Sequence, residues 1–393
     1  MNLRFDTVIV RHGAEIGVKS SITRLRYYKL LMKSIVAKIK TEGLSIDGID
    51  RRSGRIYIKT IMPERVAEAL SKVFGISSTS PATSCKADLD SIADVAVKLA
   101  EMRGEKGVKF AVQCRRVGQH PFTSIDVCKY VGAKVLEARR SDGWRVDLKK
   151  PDYKIYVEIR DQDAFLYTDI VRGVGGLPQG SQKGLLCLLS SGIDSPVASW
   201  LVMKRGCTVT LIHFNLQPFS GEETLKKVVD LAKCLASWSP AYKVKLLMVP
   251  FGKILEEIVE KHPRKLTCIL CKRMMLRISE RIALKRGLMG IVTGDSIGEQ
   301  ASQTLENMAV ISEAVKRLPI YRPLLGFDKP ETEKIAREIG TYDISARPDE
   351  GCKASPPRPS ISAKLDEVLE VERTLNVDEL IEDAAHRVVE LKV

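Results

Sequence analysis

Two stretches of the 393-residue chain carry side chains whose types and spacing suit chemistry. The first is Leu188-Leu-Ser-Ser-Gly-Ile-Asp-Ser-Pro196, where a short apolar run meets the start of a helix. Small residues at 190–192 let the backbone turn closely around an anion, and the helix N-terminus adds its positive dipole end. Pro196 suits a first helical turn, where its missing N–H forfeits no bond. No Gly-Lys-Ser/Thr follows, so this is not a Walker A loop. Asp194 either caps the helix or works on a ligand. The second stretch is Cys268-Ile-Leu-Cys271, spaced like a thiolate metal site, with Cys352 of Asp349-Glu-Gly-Cys-Lys353 as a third candidate. Three thiolates suit a [4Fe–4S] cluster with one open iron. Zinc with a fourth ligand such as His262 is another reading, and so is a persulfide or disulfide on Cys352. Cys85, Cys114, Cys128, Cys187, Cys207 and Cys234 stand in apolar or strand contexts and read as small buried hydrophobes.

The elements that must position these groups follow from periodicity. In the first third, strands are expected at Phe5–Arg11 and Arg55–Thr60, with helices at Ser21–Lys40 and Pro63–Phe74, the order of a ferredoxin-like sandwich. From about Ser80 a second unit offers helices at Leu89–Met102 and Ser124–Arg139 and strands at Val108–Gln113, Tyr153–Arg160 and Ala164–Asp169. Arg172-Gly-Val-Gly-Gly-Leu-Pro-Gln-Gly180 reads as a linker. Beyond it, strands at Leu185–Leu189, Thr208–Phe214, Leu246–Val249 and Leu288–Thr293 alternate with helices such as Pro196–Lys204 and Cys271–Arg286. That alternation implies a mostly parallel sheet with its ligand crevice at the carboxyl ends of the strands.

Composition bounds the function. The charge is +14 and 44% of residues are hydrophobic, so disorder and a disulfide miniprotein are excluded. Residues 1–175 carry a net +11, residues 176–360 a net +8 and the tail a net −5, which favours a polyanionic partner touched by more than one domain. Nine cysteines cannot all pair. With no run near about 18 apolar residues and no signal pattern in Met1–Arg11, a cytoplasmic protein with no membrane partner is expected.

The motifs resemble those of a known family. Ser190-Ser-Gly-Ile-Asp-Ser195 resembles the Ser-Gly-Gly-x-Asp-Ser loop of ATP pyrophosphatases, with Ser191 in place of the first glycine. Gly175-Gly-Leu-Pro178, Ile212-His-Phe214, Gly294-Asp295, Gln300-Ala-Ser-Gln-Thr304 and Tyr321-Arg-Pro-Leu324 resemble ThiI-type tRNA 4-thiouridine synthetases, as do Arg11, Glu15, Lys19 and Val73-Phe-Gly-Ile76. Cys114-Arg-Arg-Val-Gly118 is similar to that family's THUMP domain. The resemblance implies an α/β protein with a ferredoxin-like domain (1–76), a THUMP domain (77–172) and a Rossmann-like, HUP-type adenylating domain (173–393). It implies ATP with Mg²⁺ at Leu188, Leu189, Ser190, Ser191, Gly192, Asp194, Ser195, His213, Phe214, Arg273, Gly294 and Gln303. Asp194 would orient metal or nucleotide. Cys268, Cys271 and Cys352 would hold the [4Fe–4S] cluster of a rhodanese-free form, with Cys352 in the sulfur chemistry. The implied activity is 4-thiouridine formation at position 8 of tRNA, gripped at its acceptor stem and 3′ end, with sulfide or another sulfur donor and a homodimeric enzyme. Arg51-Arg52, Arg115-Arg116, Arg139-Arg140 and Lys149-Lys150 are the expected phosphate contacts, Arg115 and Arg116 first. Two rival functions are sulfur transfer to a carrier protein for thiazole synthesis and a non-catalytic THUMP-type RNA-binding protein.

Overall fold

The computed structural model of the chain describes residues 4–52 and 54–393, so the first three residues of Met1–Arg11 lie outside it. Compact units span residues 1–177 and 178–393. The first begins with β1 (Thr7–His12), α1 (Ala14–Gly17), α2 (Ser21–Thr41), β2 (Gly48–Arg52), β3 (Arg55–Lys59), α3 (Pro63–Ser71) and β4 (Ile76–Lys86). Ser20 starts α2 by accepting the Thr23 N–H. Leu31, Ile35 and Ile39, four residues apart on one face of that helix, bury against Val8, Val10, Ile56 and Ile58 of the alternating strands. There follow α4 (Leu89–Arg103), β5 (Lys109–Val117), α5 (Ser124–Ala138), β6 (Arg145–Val146), β7 (Tyr153–Arg160), β8 (Asp163–Tyr167) and β9 (Val171–Arg172).

The nine strands form one sheet in the order β2-β3-β1-β4-β8-β7-β5-β6, with β9 also paired to β4. Sequence patterning does not reveal β4. Its Ser/Thr-rich run with Pro81 reads as a connection, yet residues 76–82 pair with β1 and residues 83–86 with β8. A boundary drawn at 76/77 therefore falls at the first residue of a strand that both half-sheets share. The sheet also folds on itself. Laid flat, β3 and β7 would stand four strand spacings, about 19 Å, apart, but Arg55 Nε donates to Glu158 Oε1 at 3.0 Å. The opposed faces enclose Tyr57 stacked on Phe165 and Tyr156 stacked on Tyr167.

The second unit runs β10 (Gly184–Leu188), α6 (Asp194–Lys204), β11 (Thr208–Asn215), α7 (Glu222–Ser237), β12 (Lys245–Pro250), α8 (Gly252–Lys261) and α9 (Thr267–Lys285). Then come β13 (Ile291–Val292), α10 (Leu305–Ser312), β14 (Ile320–Tyr321), α11 (Lys329–Ile339), α12 (Tyr342–Ser345), α13 (Leu365–Glu372), α14 (Val377–His386) and β15 (Val389–Lys392). Its sheet has the order β14-β13-β10-β11-β12-β15, parallel except for β15. Strand order reverses between β10 and β13, which makes their carboxyl ends the switch point where such sheets bind ligands. The acidic tail ends in β15, which pairs antiparallel with β12 and sets Glu390 beside Lys245 and Arg286. Among the described residues no helix is long and apolar enough to cross a membrane.

Candidate active site

At the switch point, β10 delivers Leu188 and Leu189 to the loop 190–193, and α6 leaves that loop at Asp194. Ile193 takes the N-cap position and makes no side-chain cap bond, so Asp194 is not the cap and first-turn N–H groups are left for an anion. The loop is braced from within. Ser195 Oγ accepts the Ser190 N–H at 2.8 Å and lies 3.0 Å from Ser190 Oγ. Among the described residues Asp161 is the one non-glycine with positive φ, so Ser191 occupies its position without backbone strain.

A cleft of about 340 Å³ opens beside this loop. Nine of the twelve expected nucleotide contacts line it: Leu188, Leu189, Ser190, Asp194, Ser195, His213, Phe214, Gly294 and Gln303. His213 donates from Nδ1 to the Leu189 carbonyl at 2.8 Å, and burial lowers its pKa, so the ring is neutral with Nε2 as an acceptor. Among the described residues that buried Nε2 has no partner, and the same holds for Gln303 Oε1. Two unpaired buried acceptors fit a ligand that brings donors, such as an adenine amino group or ribose hydroxyls. Gly294 follows β13 and meets the loop backbone-to-backbone: a Cβ there would stand 2.8 Å from Ser195 N and 3.0 Å from Asp194 C. We expect Gly294→Ala to weaken ATP binding at least tenfold and to cost about 1–3 kcal/mol of stability by overpacking. Titration calorimetry and thermal denaturation would check both.

Ser191, Gly192 and Arg273 are not among the residues lining the cleft. Arg273 departs furthest from expectation. Its side chain is fully buried, with Nε and Nη2 on Glu372 at 2.7 and 2.8 Å, Nη2 also on Glu313 and Nη1 on the Val310 carbonyl. Consecutive helical residues point about 100° apart. On α9 it is therefore Lys272, Met275 and Leu276 that face the cleft. Lys272 Nζ bonds Asp295 at 3.0 Å, and Asp295 also receives Thr293 Oγ1 at 2.7 Å and Arg322 Nε at 3.4 Å. Burial pushes the Asp295 carboxyl up, but Lys272, Thr293 and Arg322 together hold it below its ordinary value. Another residue missed from sequence is Lys329, the first of α11. Its Nζ bridges Asp194 Oδ1 at 2.8 Å and Glu299 Oε1 at 2.5 Å. Its sequence signal was only the Asp328-Lys-Pro helix start. A cation held between two carboxylates beside a phosphate loop is also a position that Mg²⁺ fits.

Cys268 and Cys271 share one face of the first turn of α9, and exposed Cys352 lies on the loop after α12. Burial raises both α9 thiols, and the nearness of Cys352 adds to the rise in each. The donor types suit an iron–sulfur cluster. As they stand, no three His, Cys, Asp or Glu side chains among the described residues are arranged to hold a metal ion. His262 keeps a buried Nε2 with no partner among the described residues.

In the first unit the basic pairs divide their work. Arg52 is held by Asp50 and Asp163, Arg116 by the Gly118 carbonyl and His120, and Arg139 by Asp142. Their neighbours Arg51, Arg115 and Arg140 are exposed, as are Lys149 and Lys150.

A doubly wound sheet with a phosphate turn at its switch point defines a nucleotide-handling α/β domain. The family described as "Thiamine biosynthesis protein (ThiI)" matches residues 180–377, the ThiI ferredoxin-like domain residues 7–80 and the THUMP domain residues 86–169. The chain belongs to the ThiI family. A protein of Methanosarcina acetivorans named "Probable tRNA sulfurtransferase" is 41% identical over 391 residues, 99% of this chain and 94% of the relative. One of Methanobrevibacter smithii with the same name is 41% identical over 97% of this chain and 99% of its own length. A solved 4-thiouridine synthetase–RNA complex with bound ATP superposes with a TM-score of 0.88 at 30% identity, covering 99% of this chain and 100% of that one.

Proposed function

We propose that the chain is an ATP-dependent tRNA sulfurtransferase that forms 4-thiouridine at position 8. The observation that carries this reading is the cleft at the β10–β13 switch point, with a phosphate turn at one end and two partnerless buried acceptors, His213 Nε2 and Gln303 Oε1, in its lining. A uracil oxygen is a poor leaving group and must first be activated. In the first step O4 attacks the α-phosphorus of ATP, the α–β bridge breaks and pyrophosphate leaves. Ser190, Ser195 and the first-turn N–H groups of α6 take up its charge, an electrostatic role that needs no movement of the site. Asp194 and Glu299, the two carboxylates that share Lys329 Nζ, would hold Mg²⁺, which when bound would offset phosphate charge. In the second step a sulfur nucleophile attacks C4, the C4–O bond breaks and AMP departs.

Cys268, Cys271 and Cys352 would hold the iron–sulfur cluster, which when bound supplies an open iron for sulfide. The sulfur donor, sulfide or another small sulfur compound, and a homodimeric working form are carried by the family resemblance alone. Residues 1–76 and 77–172 serve the RNA and 173–393 the adenylation. Exposed Arg51, Arg115, Arg140, Lys149 and Lys150 are the side chains left to meet the tRNA backbone.

Unmodified tRNA incubated with the protein, ATP, Mg²⁺ and sulfide should develop the thiouridine absorption band and release AMP. If ATP is turned over only when a sulfur-carrier protein is present, thiazole sulfur supply replaces this reading. Tight RNA binding without ATP turnover would leave the non-catalytic reading standing.

A further inference from the structure

Ser191, the residue that stands where the resembling loops have glycine, is tied to another segment of the same unit. Its Oγ donates to Asp349 Oδ2 at 2.8 Å. The same carboxylate oxygen accepts from Lys227 Nζ at 2.9 Å, and Lys227, only 5% exposed, also donates to the Arg347 carbonyl at 2.7 Å. Burying an ammonium is costly unless it is paired and hydrogen-bonded, so the full pairing of Lys227 anchors Asp349 firmly. The other carboxylate oxygen, Oδ1, accepts the Gly351 N–H at 3.2 Å. Gly351 has φ +62°, the left-handed conformation that glycine takes at least cost, and Asp349 closes the turn there. The next residue is Cys352. A second bond, Ser345 Oγ to the Gly192 carbonyl at 3.1 Å, joins the same two segments. A continuous path thus runs from the phosphate loop through one carboxylate to the turn that presents the exposed thiol.

We propose that Ser191, Asp349 and Lys227 form a positioning relay that sets the pose of Cys352 according to whether the loop 190–195 holds a phosphate. A hydroxyl has one proton to donate, so Ser191, which lies just outside the cleft lining, would have to release Asp349 in order to turn its hydroxyl to a phosphate oxygen at the loop. The incoming negative charge also repels the carboxylate. Phosphate binding therefore frees Asp349 from Ser191, and the turn at Gly351–Cys352 loosens while Lys227 keeps the segment attached. The relay rests on the proposed function only for the identity of that phosphate, ATP or its pyrophosphate product, and for the use made of Cys352.

The test is site-specific alkylation with iodoacetamide of the full-length chain, kept reduced and free of iron so that Cys352 is an unligated thiol, following the Cys352 peptide by mass spectrometry. Without ligand, Ser191→Ala should alkylate about three- to tenfold faster than wild type, the range expected for loss of one ordinary hydrogen bond. Ser191→Thr, which keeps the hydroxyl, should restore the wild-type rate. ATP with Mg²⁺, or inorganic pyrophosphate, should raise the wild-type rate toward that of Ser191→Ala and leave the alanine variant unchanged. Equal ligand-free rates in wild type and Ser191→Ala would overturn the relay, as would a full ATP response in the alanine variant. Equilibrium dialysis with ATP separates the two levels. A chain that binds no ATP sinks the functional reading, while the ligand-free comparison still decides the relay.

Discussion

Replacing Asp194 with asparagine is expected to lower ATP–pyrophosphate exchange and thiolation at least about 100-fold while leaving the melting temperature nearly unchanged. Asp194 stands in the first turn of α6, where a carboxylate contributes about 0.3–1 kcal/mol through the helix dipole. Its side chain is not the N-cap, so no cap bond is lost. The pair with Lys329 is partly exposed on both sides, and such pairs are worth little to stability. Losing a carboxylate that would hold the Mg²⁺ offsetting the phosphate charge, by contrast, costs about 2.7 kcal/mol or more, which is the hundredfold effect. Asparagine keeps the shape and loses the charge, so steric disruption does not enter. An exchange rate near wild type, with the variant folded, would remove Asp194 from the chemistry and return it to a helix-start role.

How much of this was legible in the sequence depends on what each residue answers to. The loop 188–196 was legible because a strand, a tight turn and a helix start leave local marks: an apolar run, small residues, then Ser-Pro. His213 and Phe214 were reachable through the family resemblance, and they stand near a strand end, which in a parallel sheet faces the crevice. The strand β4 was hidden, since its Ser and Thr residues become a strand only when β1 and β8 pair with both edges. Lys329 and Asp349 were hidden for a related reason. They lie 135 and 158 residues from Asp194 and Ser191, the loop residues they bond, and no local pattern reports such pairing. Lys272 and Arg273 show the limit within one helix. Both are cations at adjacent positions, and only the packed orientation of α9 decides which one faces the cleft.

That orientation predicts the fate of Arg273. Arg273→Ala should destabilise the protein by about 3–5 kcal/mol, the usual cost of stripping one partner from a buried ion pair. Glu372, only 5% exposed, would be left with Arg277 as its remaining ion-pair partner among the described residues. Arg273→Lys should fall between, because an ammonium cannot reproduce the two-pronged contact with Glu372 while also bonding Glu313 and the Val310 carbonyl. The pH dependence has a definite sign. Burial pushes the Glu372 carboxyl up, but its bonds to Arg273 and Arg277 outweigh burial and hold it below the ordinary glutamate value. A depressed folded-state pKa contributes stability that is fully present above the unfolded value, about 4.3, and is lost as pH falls through the folded value. Denaturation measured from pH 7 downward should therefore show the wild type losing its advantage over Arg273→Ala on the acid side. Had Arg273 been a nucleotide contact, the alanine variant would melt like wild type and lose ATP affinity instead. The guanidinium joins α9 to the end of α13 and to the Val310–Glu313 stretch, so it acts on the cleft by holding α9 in the rotation that turns Lys272 inward.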